Sequence, residues 1–317
     1  MRFKLLLVSL FLSLPFWWGV NALSVDLEDV FFEREVARDT RLFIASVNQQ
    51  VFEAKAEMSK LRQESIEIDA RGAISVLVNS NGNEEILYEK DSRRSLPIAS
   101  ISKLMTANVV LENFDLSRVV LVSEEAVNQE EDFGALKAWE KFEARDLLYV
   151  SLIESSNDAA YALAEMVGIE AFTSLMNLEA GYLGLNDTYF VNPTGLDCGN
   201  LVNYSSAGDL VKLTGYLLEK HSLIWEILGL EEFNLYSADG IYHHKLLTTN
   251  ELLEESVDWR DEIIGGKTGW TFQAGGCLLL VLENSKSEYL INVILGSRDR
   301  FGEMRKLVDW ARRTKRW

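Results

Sequence analysis

The chain has 317 residues, room for one large domain or two smaller ones, and its 48% apolar content is that of a globular protein with a real core. A formal net charge of −18 argues against nucleic acid and against an anionic membrane surface as partners. Two cysteines and three histidines (His221, His243 and His244) offer no metal-ligand spacing, so neither a metal nor a cofactor is expected.

The chain opens with Arg2 and Lys4, followed by an apolar run over residues 5–20. Two positive charges before such a run read as an export signal, and Val20-Asn21-Ala22 is an acceptable cleavage site. Extended to Val25, the run reaches roughly 21 residues, which just spans a bilayer. Trp17 and Trp18 suit an interfacial belt. Residues 1–25 are therefore expected to be a signal peptide or an N-terminal membrane anchor. In both cases the remainder is expected outside the cytoplasm, secreted or held at the cell envelope. Residues 26–65 lack glycine and proline, and Val36, Thr40, Phe43, Val47, Val51, Ala54, Met58 and Leu61 mark one face of a long helix. Over residues 26–66 this predicts a stalk, a helix packed on the main domain, or a dimerising coiled coil.

A main domain is expected over residues 67–317. It starts with a hairpin, residues 74–79 and 85–89 around an Asn81-Gly82 turn. Mostly helical sequence follows from about residue 101 to 221. Residues 275–284 and 289–297 have the length and apolarity of buried strands, and a last helix runs from Arg300 to about Arg313. Strands from both ends thus flank a helical middle. The expected class is α+β: an antiparallel sheet built from both chain ends, with flanking helices and an inserted helical lobe. The default place for chemistry is a cleft between the two. In an oxidising compartment Cys198 and Cys277 are able to pair; two free, mostly buried thiols fit the sequence equally well.

Three constellations carry the chemistry. In "PIASISKLMTA" (residues 97–107), Pro97 suits a first helical turn, and Ser100 and Lys103 stack three residues apart on one face. Apolar neighbours and the positive end of a helix disfavour a protonated lysine. A neutral amine beside a hydroxyl makes the hydroxyl a nucleophile. Ser102 faces another side and is the weaker candidate. The plainer alternative has Ser100 capping the helix and Lys103 extending to solvent. In "SLIESSNDAAYALAE", Ser155 is placed to relay a proton and Asn157 to hold a peptide group, with Asp158 as the cap of the next helix; plain helix capping also fits these residues. In "IIGGKTGWTFQAGG", Lys267, Thr268 and Gly269 offer a cation, a hydroxyl and close backbone approach for a carboxylate, although an ordinary Gly-rich hairpin reads the same way.

The motifs S-x-x-K, S-x-N and K-T-G occur in this order, almost the set associated with penicillin-binding proteins and class A β-lactamases, whose middle motif is S-D-N where this chain has Ser156. From about Ala70 to Trp317 the sequence resembles the low-molecular-mass penicillin-binding proteins, the serine D-Ala-D-Ala carboxypeptidases. "LGLNDTYFVNPTGLD", "TTNELL" and "VILGSRDRFGEMRKLVDWA" extend the resemblance. It implies a β-lactamase/transpeptidase-like fold and an acyl-enzyme on Ser100, with Lys103 taking the proton and Ser155 shuttling it to the leaving D-alanine. It further implies that Asn157 holds the substrate amide, that Lys267 and Thr268 bind the terminal carboxylate beside Gly269, and that the backbone N–H groups of Ser100 and Trp270 form the oxyanion hole. The implied partners are the peptidoglycan stem peptide and covalent β-lactam inhibitors. D,D-endopeptidase action on cross-links is the main alternative. A non-hydrolytic penicillin sensor and a β-lactamase are less favoured. For the β-lactamase, Glu179 is followed by Ala-Gly-Tyr and does not match the deacylation signature.

Overall fold

The structure, a computed structural model, describes residues 66–130, 135–315 and 317. The expected leader and the long amphipathic segment lie outside the described residues. One compact unit runs from Ile66 to Trp317.

The Asn81-Gly82 turn joins β1 (Gly72–Val78) and β2 (Glu84–Lys90), with Gly82 at φ +77°. Glycine occupies that left-handed conformation without steric penalty. Strands β3 (Leu96–Pro97), β4 (Val119–Leu121), β5 (Lys141–Glu143) and β6 (Tyr204–Ser205) are short. Among them lie α1 (Lys103–Asn113), α2 (Ala144–Ile153), α3 (Asn157–Glu165) and α4 (Ile169–Tyr182). Then come α5 (Ala207–Lys220), α6 (Ser222–Leu228), and the hairpin of β7 (Glu232–Tyr236) and β8 (Tyr242–Leu247). The chain closes with β9 (Ile263–Thr271), β10 (Gly275–Glu283), β11 (Tyr289–Ser297) and α7 (Arg300–Lys315).

The main sheet has the order β2-β1-β11-β10-β9, antiparallel throughout. The first hairpin therefore pairs with the last strands, as expected. β10 is apolar along its length because both faces of the sheet are covered. Leu279 and Val281, with Ile291 and Val293 of β11, face the helical lobe's core. Leu278, Leu280 and Leu282, with Leu290 and Ile294, face a second core that includes Met304, Leu307 and Val308 of α7. β9 is left at the edge, with one side of its backbone unpaired within the sheet.

Two sequence expectations change. Pro97 lies in β3, paired with Tyr204, and the helical entry starts one step later with Ile98 as N-cap. The cap of α3 is Ser156, whose hydroxyl accepts from Ala159 N, and Asp158 sits inside the first turn. Of the two cysteine readings the unpaired one holds, with Cys277 buried but Cys198 exposed. Lys267, Thr268 and Gly269 lie on β9, and the expected strand follows them as β10. Among the described residues no single helix is long and apolar enough to cross a membrane.

Candidate active site

The edge strand, the start of α1 and the α2–α3 link converge on a cleft of about 670 Å³. Ser100, Ser155, Asn157, Thr268, Gly269 and Trp270 line it. Lys103 and Lys267 lie directly beneath, 0% and 1% exposed. All eight residues singled out from sequence are thus brought to one place. Glu179 is not among the lining residues.

Between β3 and α1 the chain makes one 3-10 turn, Ala99–Ser102. Ala99 has φ +48°, a left-handed conformation that costs a residue with a Cβ on the order of 1 kcal/mol. Two glycines wedge this turn in place. A methyl group on Gly195 would sit 2.2 Å from Ala99 O, and one on Gly269 would sit 2.9 Å from Ile98 O and 3.1 Å from Ser100 N. Gly195 also has φ +90°. Sequence reading saw Gly269 but assigned Gly195 no site role, because its job is to have no side chain. Gly195→Ala should cost about 3 kcal/mol, read as a fall in Tm of about 6–12 °C, and should slow acylation of the serine.

Ser100 Oγ lies 2.9 Å from Lys103 Nζ. Lys103 does not extend to solvent. Its Nζ also donates to Asn157 Oδ1 at 2.7 Å and to the Thr194 carbonyl at 2.6 Å. Those two oxygens can only accept, whereas a serine hydroxyl can donate. Of these three contacts, the Ser100 O–H is the one able to pass a proton to the amine. Asn157 so orients the amine in addition to lining the cleft, and its Nδ2 is anchored on Glu130 O at 2.9 Å. Ser102, by contrast, is 1% exposed and donates to Ala99 O at 2.7 Å.

The Thr194 carbonyl is a site group that no side-chain pattern reveals. The loop holding it is braced by Asn192, whose Oδ1 accepts from Thr194 N, Thr194 Oγ1 and Gly195 N. Asn203 clasps the same loop from the far side, accepting from Val191 N and donating to Asn192 O.

Ser155, also in the left-handed region at φ +63°, accepts from Lys267 Nζ at 2.8 Å. Lys267 also donates to Thr268 O at 3.0 Å. Burial, reinforced by the neighbouring Lys103 and Arg300, holds the Lys267 amine well below the ordinary lysine value. The linkage has a definite sign. An unfolded chain keeps the ordinary value near 10.5 and binds a proton that the folded chain has released, so stability rises with pH between the two values. Below the folded value the cost of the buried ammonium is constant. Lys267→Met should therefore raise Tm by about 2–4 °C at neutral pH while abolishing function, and the gain should shrink as pH approaches the unfolded value. Paired melts across pH check both parts.

Two further groups escaped sequence reading. Thr249 Oγ1 is 2.6 Å from Thr268 Oγ1, so two hydroxyls present themselves together. Arg300, at the start of α7, lines the cleft and donates to Gly269 O at 2.9 Å. The Thr pair and Arg300 bring two hydroxyls and a cation to the same cleft, groups suited to an anion.

An amine held on a serine hydroxyl, a second serine–lysine pair beside it, and an edge strand across the cleft define a serine acyl-transfer enzyme. The family profile described as D-alanyl-D-alanine carboxypeptidase matches residues 57–299. The D-alanyl-D-alanine endopeptidase of Pseudomonas aeruginosa is 32% identical over 247 residues, covering 77% of this chain and 76% of that protein. The D-alanyl-D-alanine carboxypeptidase DacF of Bacillus subtilis is 29% identical over 252 residues, covering 76% of this chain and 62% of that one. The crystal structure of Penicillin-Binding Protein D2 from Listeria monocytogenes, in its ampicillin bound form, superposes with a TM-score of 0.65 at 30% identity over 78% of this chain and 98% of that one. The chain belongs to the D-alanyl-D-alanine carboxypeptidase family, with the penicillin-binding-protein fold, and is a serine peptidase.

Proposed function

We propose that this protein is an exported D-Ala-D-Ala carboxypeptidase that trims peptidoglycan stem peptides through an acyl-enzyme on Ser100. The contact that carries the reading is Lys103 Nζ on Ser100 Oγ at 2.9 Å, with the amine enclosed and its other bonds directed at carbonyls.

In this reading the substrate's terminal carboxylate sits at Thr268, Thr249 and Arg300, with Lys267 beneath. Ser100 Oγ attacks the penultimate D-alanine carbonyl as its proton passes to Lys103. The tetrahedral oxygen is held by the N–H groups of Ser100 and Trp270, consistent with the close packing of β9 on the Ser100 turn. Ser155, its oxygen held by Lys267, passes a proton to the departing D-alanine amine. Water then cleaves the ester and restores Ser100. Export is supported by Arg2, Lys4 and the apolar run behind them. β-Lactams mimic the substrate at the same serine, in line with the ampicillin-bound Listeria relative.

The endopeptidase reading is favoured by a specific observation. The Pseudomonas relative and the Escherichia coli relative at 31% identity are both D-alanyl-D-alanine endopeptidases matching this chain over about three quarters of their length, 76% and 77%. Incubation with purified monomeric and cross-linked muropeptides decides between the two. Free D-alanine from monomers supports the carboxypeptidase, monomers released from dimers support the endopeptidase, and no product from either overturns both.

A further inference from the structure

Phe272, just past the end of β9, is 89% exposed. Its ring meets that of Trp270, itself 48% exposed, with centroids 5.1 Å apart. Two aromatic faces left in water beside a cleft forfeit the burial that each could gain. The hairpin that carries them is firmly held. Thr271 alternates to the other side of the strand, is buried, and donates to Asp197 Oδ1 at 3.0 Å. Gln273 N donates to Asp197 Oδ2 at 3.3 Å, and Gln273 Nε2 donates to Gly199 O at 2.6 Å. Arg71, which precedes β1, donates to Gln273 O at 2.9 Å and to Ala274 O at 2.8 Å. The two rings therefore stand on a braced turn as a preformed ledge. The ledge is continuous with the cleft, because Trp270 lines it, together with Leu196 from the loop that Asp197 ties to the hairpin.

We propose that Trp270 and Phe272 form the subsite for the third stem residue, and that this subsite selects a long aliphatic side chain ending in an amine. The proposal rests on the acyl-transfer reading above, which sets the direction of the bound peptide. With the terminal carboxylate at Thr268 and the reacting carbonyl at Trp270 N, the peptide runs antiparallel to β9. Its upstream residues then continue toward Phe272. β9 is the edge strand of the sheet, so its open backbone can pair with such a peptide. An extended chain advances about 3.4 Å per residue, which puts the residue before the penultimate D-alanine beside the two rings.

The chemistry of the ledge sets what that residue carries. Ring faces pack against methylene groups, and their negative faces attract an ammonium. A side chain with one carbon is too short to cover either ring. A long arm covers them with its methylenes and leaves its charged tip over a ring face or in water. Because the bracing bonds hold the hairpin before any substrate arrives, little ordering is left for binding to supply.

The test uses N-acetylated X-D-Ala-D-Ala peptides in which X is lysine, norleucine or alanine. D-Alanine release gives kcat/KM, and competition of the same peptides against a fluorescent penicillin reads binding where turnover is slow. Wild type should prefer lysine over alanine roughly tenfold, with norleucine about threefold below lysine. Phe272→Ala should shrink the lysine preference to less than about threefold while leaving the alanine peptide little changed. Phe272→Tyr keeps the ring and should keep the preference. Tyr182→Ala is the control, because Tyr182 is 87% exposed and does not line the cleft. Acylation by the penicillin, which lacks the third-residue arm, should stay within about twofold of wild type in all three variants. An unaltered lysine preference in Phe272→Ala, as expected of rings that serve a lipid or protein contact, overturns this inference alone. So does a wild type that acylates but treats the three peptides alike. A wild type inert toward peptide and penicillin overturns the acyl-transfer reading and the inference with it.

Discussion

Replacing Ser100 by alanine should abolish D-alanine release, a loss on the order of 10⁵ in kcat, while leaving Tm within a few degrees of wild type. The expectation combines two features of the site. Of the Ser100, Asn157 and Thr194 oxygens on Lys103 Nζ, the Ser100 hydroxyl is the one that can donate a proton. The turn that presents it is held by backbone and by the two apposed glycines, not by the serine side chain, which makes no capping bond. Removing the oxygen therefore removes the nucleophile without loosening the turn. Circular dichroism melts and a D-alanine assay on the same preparation separate the two effects, and substantial residual turnover would reject Ser100 as the nucleophile.

Lys103→Met is the second large effect. Methionine is similar in length, unbranched and apolar, so it fills the buried channel beneath the cleft. It leaves Asn157 Oδ1 and Thr194 O without the donor they now share, a loss of about 2–4 kcal/mol in stability. Acylation should slow by more than about 10³, because the serine loses its base. The variant should still bind a D-Ala-D-Ala peptide, because Thr268, Thr249 and Arg300, the groups proposed to receive its carboxylate, are untouched. Stopped-flow acylation with a fluorescent penicillin checks the rate, and an unchanged rate constant would show that the proton goes elsewhere. Set beside Lys267→Met, the pair distinguishes two lysines under one cleft: one substitution is expected to lower Tm and the other to raise it.

Much of this site was legible because its side chains are short-range or chemically distinctive. Ser100 and Lys103 stack by helical spacing, and their reach was correct even though the turn is 3-10 and starts after Pro97. The Asn81-Gly82 hairpin and the apolar β10 and β11 announced the sheet. Its antiparallel closure by both chain ends followed from where strand-like and helix-like stretches fall. The parts that were not legible are those in which backbone or distant contacts do the work. The Thr194 carbonyl reaches Lys103 across 91 residues, and no residue type encodes an acceptor that every residue has. Gly195 acts through the absence of a Cβ. Thr249 and Arg300 join Thr268 and Gly269 only once β8, β9 and α7 have packed. The β7–β8 hairpin itself was missed: Glu232–Tyr236 is mostly exposed, with Leu235 its one buried residue, so it lacks the apolar density that marked the later strands.

The most direct measurement is intact-protein mass spectrometry of the protein after exposure to a penicillin, followed by peptide mapping of the adduct. A single adduct of the penicillin's mass on the peptide containing Ser100, absent from the Ser100→Ala variant, is the predicted result. An adduct on Ser155 or Ser102, or none at all from folded protein, would contradict it.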